Sequence, residues 1–368
     1  MQKNHIHYFD YLRLMAAMGV IYMHTAASPL RGGIDPGWHG MNILTSLAFT
    51  AVPLFFMMSG YLMLSSEKTA DISYLLKKRL PHLLVPLAGW TVVAVLYSAL
   101  LTRDFSVHNL LNSLVSAFHT PAWVHFWYMY TLIALYVLSP ILYGGLRILD
   151  KTGHRFLLSI IGLISLQAIA QTLFPWAELH IDLIDKLTVY GGAVALFLLG
   201  YYLGHLERKI PNLLLGGIAL VTLLIIILGT WLRSAQSGQY DSAFQKQTAG
   251  FEVVLAACIF LLFKQNCNRP CKFFQAVPVI PLSLAIYLLH NLSLSMIEGK
   301  MVITTFGDTL WVTAVNFLLC YFVMKTVATI KPLCYLATGM TYDAACSSCN
   351  WIYTFRKKRS INKKGLCD

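Results

Sequence analysis

Charged residues are scarce in this sequence. Only 12% of its 368 residues are Asp, Glu, Lys or Arg, whereas 57% are apolar. A soluble globular domain carries roughly 25% charged residues, so the composition excludes an ordinary water-soluble fold. Acidic residues are the rarer kind, at 16 against 28 basic residues. The composition predicts that lipid is the solvent for most of the chain.

Other features that the sequence lacks limit its possible domain organisation. The sequence shows no internal repeat, no low-complexity segment and no loop long enough for a separate soluble domain. The residues before Phe9 are polar and no small-residue cleavage site follows the first apolar run, so we expect no cleavable signal peptide. We predict a transmembrane domain over residues 1–336, followed by a basic cytoplasmic tail over 337–368 that is disordered or lies on the inner leaflet.

Long apolar runs dominate what is present. A membrane-spanning helix needs about 20 mostly apolar residues, and ten segments are candidates, of which the one at 249–264 is the shortest. The ten segments are 9–27, 41–64, 80–101, 124–144, 156–174, 187–206, 211–231, 249–264, 277–297 and 307–330. The sequence therefore predicts an all-α, polytopic membrane protein with about ten transmembrane helices.

The basic residues are distributed unevenly between alternate loops. With a cytoplasmic N-terminus, 22 of the 28 basic residues fall inside and six outside, as the positive-inside rule requires. This asymmetry predicts an N-in, C-in topology in a bacterial inner (cytoplasmic) membrane. The net charge of +12 then faces anionic lipid headgroups, so nucleic acid is not an expected partner.

The eight cysteines lie in spans or on the cytoplasmic side of this topology. We therefore expect no structural disulfides, because the cytosol is reducing. Cys346-x2-Cys349 together with Cys267-x3-Cys271 resembles a zinc-ligand spacing. Unpaired thiols are the favoured interpretation, and the sequence predicts no metal site.

The first predicted helix carries Arg13 and His24. A charged or titratable residue within a span is costly and is a functional hypothesis by default. Eleven positions separate the two residues, which is about three turns plus ~20° and ~16 Å along a helix. Both side chains thus share one face, with small residues between them at Ala16, Ala17 and Val20. That face either admits another helix closely or leaves a slot for a thin ligand. Alternatively, Arg13 snorkels to headgroups and His24 is a hydrogen-bonded core residue.

Other polar residues gather at the same predicted depth as His24. His125, Trp127 and Tyr128 open the fourth span from outside, His290 lies in the outer part of the ninth, and Glu252 begins the eighth. These residues predict a pocket with two or three histidines and a carboxylate in the outer half of the bundle. Their spacing matches no metal-ligand pattern, so a histidine acting as general base is the favoured interpretation.

Two further features concern the second and third spans. Pro53 removes a backbone donor and is predicted to kink the second span. The basic cluster Lys77-Lys78-Arg79 precedes the third span on the cytoplasmic side. It is either a topology signal or a binding site for the phosphates of a nucleotide-bearing donor.

Taken in chain order, six motifs of this sequence resemble those of acyltransferase family 3, the integral membrane O-acyltransferases. The resemblance covers most of the chain and rests on six pieces. They are Asp10-x2-Arg13-x10-His24, the stretch from Pro53 to Ser59-Gly60-Tyr61, Lys78-Arg79 with Pro86, Phe126-Trp127-Tyr128 with Pro140, Leu199-Gly200-x3-Gly204, and Ser283-x3-Tyr287-x2-His290. His82 departs from the pattern, which commonly has a basic Arg there.

The resemblance implies about ten helices and transfer of an acyl group, commonly acetyl from acetyl-CoA, with no bound cofactor. The acceptor it implies is a hydroxyl of an envelope glycan or lipid-linked sugar. Within the family, the chain is most similar to the short type that modifies enterobacterial common antigen.

The resemblance also assigns roles to residues of this sequence. The family's Arg-x10-His pair carries over to Arg13 and His24, with His24 as the expected catalytic base. The residues themselves lead to a further hypothesis, in which Tyr128, His125 or His290 orients the base or stabilises an oxyanion. The expected substrate-binding residues are Asp10, Ser59, Lys78, Arg79, His125, Trp127 and Glu252.

A transporter or flippase for a polysaccharide precursor is the competing interpretation. It would use the same histidines as a proton relay, but no repeat-related pair of broken helices is present. A receptor or scaffold would leave Arg13 and the histidines without a role. The acceptor, the acyl chain and the oligomeric state are left open.

Overall fold

A computed structural model describes residues 5–174, 182–246, 250–277 and 279–349, and helices are the only regular elements in those ranges. The helices are α1 His7–Arg31, α2 Pro36–Ala48, α3 Ala51–Leu64, α4 Pro81–Thr102, α5 Val107–Ser116, α6 Trp127–Ile148, α7 Lys151–Leu173, α8 Asp182–His205, α9 Asn212–Ser237, α10 Gly250–Asn266, α11 Val279–Glu298, α12 Phe306–Val327, α13 Lys331–Thr338 and α14 Tyr342–Cys349. The prediction of an all-α fold is confirmed.

The chain divides into two compact units. The first unit contains Met1–Leu75, Ala134–Pro270 and Glu298–Ala314. The second unit contains Leu76–Ile133, Cys271–Ile297 and Val315–Asp368. The units are described one at a time below.

Within the described part of the chain, seven helical segments are long and apolar enough to cross a membrane, which supports a multi-pass membrane protein. They are Pro36–Leu64 (α2 with α3), Ile72–Thr102 (ending in α4), Val124–Ile148 (containing α6), α7, α9, α11 and α12. The other three predicted spans also coincide with helices, namely α1, α8 and α10. In the described part of α8, the apolar segment Gly191–His205 is shorter than a full span. The count of ten spans and the orientation remain predictions.

Helices α1 and α10 place polar residues within their predicted spans. Arg13 and His24 lie in α1, and Glu252 and Lys264 lie in α10. In the first unit, α1 packs against α2, α3 and α10, while α10 also packs against α7, α8 and α9. Most residues of α10 are buried. Polar side chains within membrane segments face the protein interior, which agrees with the enclosed positions of α1 and α10.

The second predicted span is two helices rather than one. The break falls at Phe49–Thr50, where the Thr50 hydroxyl donates to the Leu47 carbonyl oxygen (2.7 Å). The new helix begins at Ala51 and places Pro53 in its first turn. A first-turn proline costs little because its missing N–H has no intrahelical partner. The predicted distortion therefore occurs four residues before Pro53.

The segment after α12 belongs to the second unit and is helical up to Cys349. The expected domain boundary at residue 337 falls inside α13, which packs against α4. Trp90 Nε1 donates to the Ala337 carbonyl (3.0 Å), and His82 Nδ1 bonds the Gly339 carbonyl. His82, the residue that departs from the family pattern, thus fixes the segment after α13 to the start of α4 through its hydrogen bond with Gly339. The rest of the predicted tail, residues 350–368, lies outside the described residues.

Glycines allow α3 and α8 of the first unit to approach very closely. A Cβ at Gly60 would lie 1.8 Å from the Phe197 carbonyl oxygen, and one at Gly200 would lie 2.0 Å from that of Met57. Both positions therefore exclude any side chain. Small residues at such contacts are a common solution for helix packing in membranes, where burial from water supplies no driving force.

We expect Gly200→Ala to destabilise the protein by about 1–3 kcal/mol or more, as overpacking of a well-packed interface does. The matched control is Gly216→Ala in α9, because a Cβ there meets no atom within 4 Å. That change should be neutral or stabilise by roughly 0.5–1 kcal/mol. Thermal unfolding in detergent measures both; equal midpoints would contradict the close α3–α8 contact.

Candidate active site

Helix α1 of the first unit carries Arg13 and His24 without a break between them. Their separation along the axis is therefore the ~16 Å expected from a rise of 1.5 Å per residue. The residues between them on this face, Ala16, Ala17 and Val20, are all buried. Burial favours the first interpretation of the small face, in which neighbouring helices approach α1 closely.

An apolar cavity of about 360 Å³ lies along the middle of α1 in the first unit. Its walls include Met18, Gly19 and Tyr22 of α1, together with residues of α2, α3 and α12. At ~100° per residue, these three positions face away from Arg13 and His24. Ala16, which lies on the face that Arg13 and His24 share, also lines the cavity, so the cavity reaches the edge of that face.

A buried hydrogen-bond network in the first unit was not predicted from sequence. The Gln245 side-chain amide donates to Asn42 Oδ1 and to Ser46 Oγ, each at 2.8 Å, and the Tyr240 hydroxyl donates to Gln245 Oε1. Asn42 also donates to the Ile227 carbonyl oxygen (2.9 Å). Asn42, Ser46 and Gln245 are fully or almost fully buried. The network joins α2, α9 and the segment before α10.

Glu252 lies near this network and is fully buried. Neither of its carboxylate oxygens has a hydrogen-bond partner among the described residues. Burial raises the pKa of the Tyr240 phenol; the Arg31 cation lowers it and the Glu252 carboxylate raises it, so both charges lie within electrostatic reach. Burying a carboxyl group without a partner is costly. Glu252 is therefore suited to accept a hydrogen bond from a ligand, or to carry a proton.

The second unit brings three of the predicted site residues, His125, Tyr128 and His290, close together. The rings of His125 and His290 are 4.8 Å apart between centroids, and Tyr287 lies 5.5 Å from both His125 and Tyr128. All four side chains are buried. The Tyr287 hydroxyl donates to the His125 carbonyl oxygen.

Hydrogen bonds assign complementary roles to the two histidines. The Asn291 amide donates to His125 Nδ1 (3.1 Å), which leaves Nε2–H as the donor of a neutral His125 ring. His290 Nδ1 donates to the Tyr287 carbonyl oxygen, so Nε2 is the basic nitrogen of a neutral His290. The pair presents one N–H donor and one base.

The remaining predicted residues are more exposed. Ser59 of the first unit and Trp127 of the second are half-buried. Lys78 is exposed and Arg79 half-buried on the π-helical turn Leu75–Arg79, at the start of the second unit. Wide helical turns of this kind occur frequently at functional sites.

The predicted residues thus form two groups. Asp10, Arg13, His24, Ser59 and Glu252 belong to the first unit, whereas Lys78, Arg79, His125, Trp127, Tyr128 and His290 belong to the second. A single pocket containing both groups remains a prediction.

The model of acyltransferase family 3, described as an acyltransferase domain, matches residues 6–330. The chain belongs to this family. A search of curated proteins and a search of solved structures each found no match. Every predicted site residue lies within the matched range. Together with its seven apolar helices, membership makes the protein a membrane acyltransferase.

The network around Gln245 shows what sequence reasoning missed in this acyltransferase. Asn42 and Gln245 are about two hundred positions apart, and no local pattern pairs them. The available signal was an amide and a hydroxyl, Asn42 and Ser46, one helical turn apart within an apolar span. Such a pair indicates a polar partner from another helix.

We expect Gln245→Leu in the acyltransferase to lower stability, because it removes the donor to Asn42 Oδ1 and Ser46 Oγ and the acceptor of the Tyr240 hydroxyl. Each buried group left unsatisfied costs about 1–3 kcal/mol. The matched control is Gln239→Leu, since the side chain of Gln239 is exposed and only its backbone is hydrogen-bonded. Chemical or thermal unfolding in detergent separates the two variants. A loss no larger than that of the control would show that the network contributes little.

Proposed function

We propose that this acyltransferase moves an acyl group, acetyl in the first instance, from a cytoplasmic acyl-CoA to a hydroxyl of an envelope glycan or lipid-linked saccharide. The observation that carries the proposal is the placement of Arg13 and His24 on one face of α1, a helix enclosed by its neighbours within the family match.

The proposed chemistry assigns His24 the role of general base. His24 takes the proton of the acceptor hydroxyl as its oxygen attacks the thioester carbonyl. The carbon–sulfur bond then breaks, an oxygen ester forms, and the proton passes from the imidazolium to the departing thiolate of CoA. No oxidant, metal or bound cofactor is needed for this exchange.

Arg13 is proposed to bind a phosphate of the donor. Its guanidinium can form two parallel, charge-assisted hydrogen bonds with phosphate oxygens. The ~16 Å between Arg13 and His24 suits a ligand that carries charge at one end and a reactive thioester at the other. Asp10, one turn before Arg13, is proposed to bind the substrate at the cytoplasmic end of this site.

The exposed turn with Lys78 and Arg79 is proposed to supply further cations for donor phosphates, which Lys and Arg bind readily. In the second unit, Tyr128 and His290 are proposed to take part in catalysis. The buried Tyr128 hydroxyl is proposed to act as a preorganised hydrogen-bond donor to the developing oxyanion, an interaction that is usually the largest single contribution to catalysis. His125, Trp127, Ser59 and Glu252 are proposed to bind the acceptor, whose hydroxyl groups need buried hydrogen-bond partners.

The proposed setting is the inner membrane of a bacterium, with both termini in the cytoplasm. The support is the distribution of basic residues, 22 of 28 on one side of a ten-helix topology. That orientation exposes Arg13 to cytoplasmic acyl-CoA and places His24 in the outer half of α1.

We expect His24→Ala to abolish acylation of the acceptor, since general-base catalysis contributes about 10²–10⁴-fold in rate. Mass spectrometry of envelope glycans compares a deletion strain complemented with the wild type, His24→Ala or His119→Ala. His119 is exposed and its substitution should leave acylation intact. Acylation retained by His24→Ala at normal protein levels would overturn the assignment of the base.

We expect Arg13→Gln to weaken binding of acetyl-CoA by about tenfold or more, because a hydrogen bond to a charged group contributes about 1.5–3 kcal/mol. Titration of the purified protein with acetyl-CoA measures the effect. His24→Ala is the control, since it should bind the donor normally while failing to react. Unchanged affinity in Arg13→Gln would contradict a phosphate-binding role.

A further inference from the structure

His5, His7 and Asp10 converge at the start of α1 in the first unit. Their potential ligand atoms all lie within 4.8 Å of one another. His5 Nε2 is 2.6 Å from Asp10 Oδ2, and the rings of His5 and His7 are 4.8 Å apart between centroids. The sequence predicted no metal site at this position, where a His-x-His-x2-Asp run crosses the start of a helix.

The backbone explains why the three side chains meet. Ile6 is the N-cap residue of α1, so His7 and Asp10 stand three positions apart in the first turn and share one face. His5 approaches from the chain before the helix. The His7 amide donates to Asn268 Oδ1 (3.1 Å), which fixes the chain at this point.

Asp10 provides a second, independent indication of a ligand. Its side chain is only 7% exposed, and its Oδ1 has no hydrogen-bond partner among the described residues. A buried carboxylate oxygen without a partner is costly. His5, by contrast, is 59% exposed, so an ion can enter from solvent on that side while Asp10 anchors it.

The distances and the donor types favour one kind of ion. Zn²⁺ binds histidine nitrogen and carboxylate oxygen at about 2.0–2.2 Å, which places neighbouring donors of a tetrahedral site roughly 3.3 Å apart. The present separations are as large as 4.8 Å, so the imidazole rings would turn towards the ion on binding. Ca²⁺ and Mg²⁺ prefer all-oxygen ligands, whereas imidazole suits Zn²⁺ and its neighbours.

We propose that His5, His7 and Asp10 form a Zn²⁺ site with three protein ligands and one open position. The ion clamps the chain that enters α1 onto the first turn, one turn before Arg13. The alternative is a hydrogen bond between His5 and Asp10 with no metal ion. This inference is independent of the proposed acyl transfer, because its test measures metal binding alone.

The test uses the full-length protein, purified in detergent with an affinity tag that contains no histidine and stripped with a chelator. Zn²⁺ is then titrated in competition with a chromophoric chelator. Loss of an outer partner of a ligand already costs roughly 10–100-fold in affinity, so His5→Ala and His7→Ala should each weaken binding by at least about tenfold. His119→Ala, which removes an exposed histidine, should bind like the wild type.

Substitution by Co²⁺ separates this site from the cysteines. A site of two nitrogens and one carboxylate gives visible d–d bands without the intense near-ultraviolet charge-transfer band of a thiolate ligand. We expect d–d bands in the wild type that disappear in His5→Ala. A thiolate band, binding unchanged in His5→Ala, or no tight site in the wild type would each overturn the proposal. His5→Ala changes an exposed side chain, so its elution profile should match that of the wild type.

Discussion

The structure depends on enclosing polar groups in a protein whose solvent is mostly lipid. Hydrocarbon offers no hydrogen bonds, so each charged or polar side chain within a span needs a protein partner, a ligand or a proton. Helices α1 and α10 carry Arg13, His24 and Glu252, and each packs against several other helices of the first unit. By contrast, α9 is strongly apolar and leaves many of its side chains exposed. The division between enclosed polar helices and exposed apolar ones follows from the solvent.

Close packing of the helices encloses the polar side chains. The family motifs accordingly contain two kinds of residue, those that allow close packing and those that carry chemistry. Gly60 and Gly200 contribute no chemistry, but they let α3 and α8 touch through their backbones. Tyr287 similarly donates to the His125 carbonyl oxygen and holds the second unit's histidines. Arg13 and His24 are of the other kind, because a charged or titratable side chain within a span is costly and is a functional hypothesis by default.

Much of the fold was predictable because a membrane imposes a simple rule on length and hydropathy. Nine of the ten predicted spans each coincide with one helix and the second coincides with two, although α1, α8 and α10 fall short of the criterion that seven segments meet. The chain around α13 and α14 was not predictable in this way. Its order rests on contacts such as Trp90 with Ala337 and His82 with Gly339, which join residues far apart in sequence.

The candidate site was predictable as residue types but not as a set of contacts. The rule that intramembrane ionisable groups are functional singled out Arg13, His24, His125, His290 and Glu252. It gave no indication of the Gln245 network or of the His5, His7 and Asp10 cluster. Those groupings depend on which helices meet and on where a helix begins, and neither follows from local hydropathy.

Acyl transfer by the purified protein is the most direct test of the central claim. Wild-type protein in liposomes receives acetyl-CoA and an envelope saccharide acceptor, and both free CoA thiol and O-acetyl ester are measured over time. The account predicts that the two products appear in equal amounts and that both are absent with His24→Ala. Passage of unmodified saccharide across the liposome membrane without release of CoA would contradict it and would indicate a transporter.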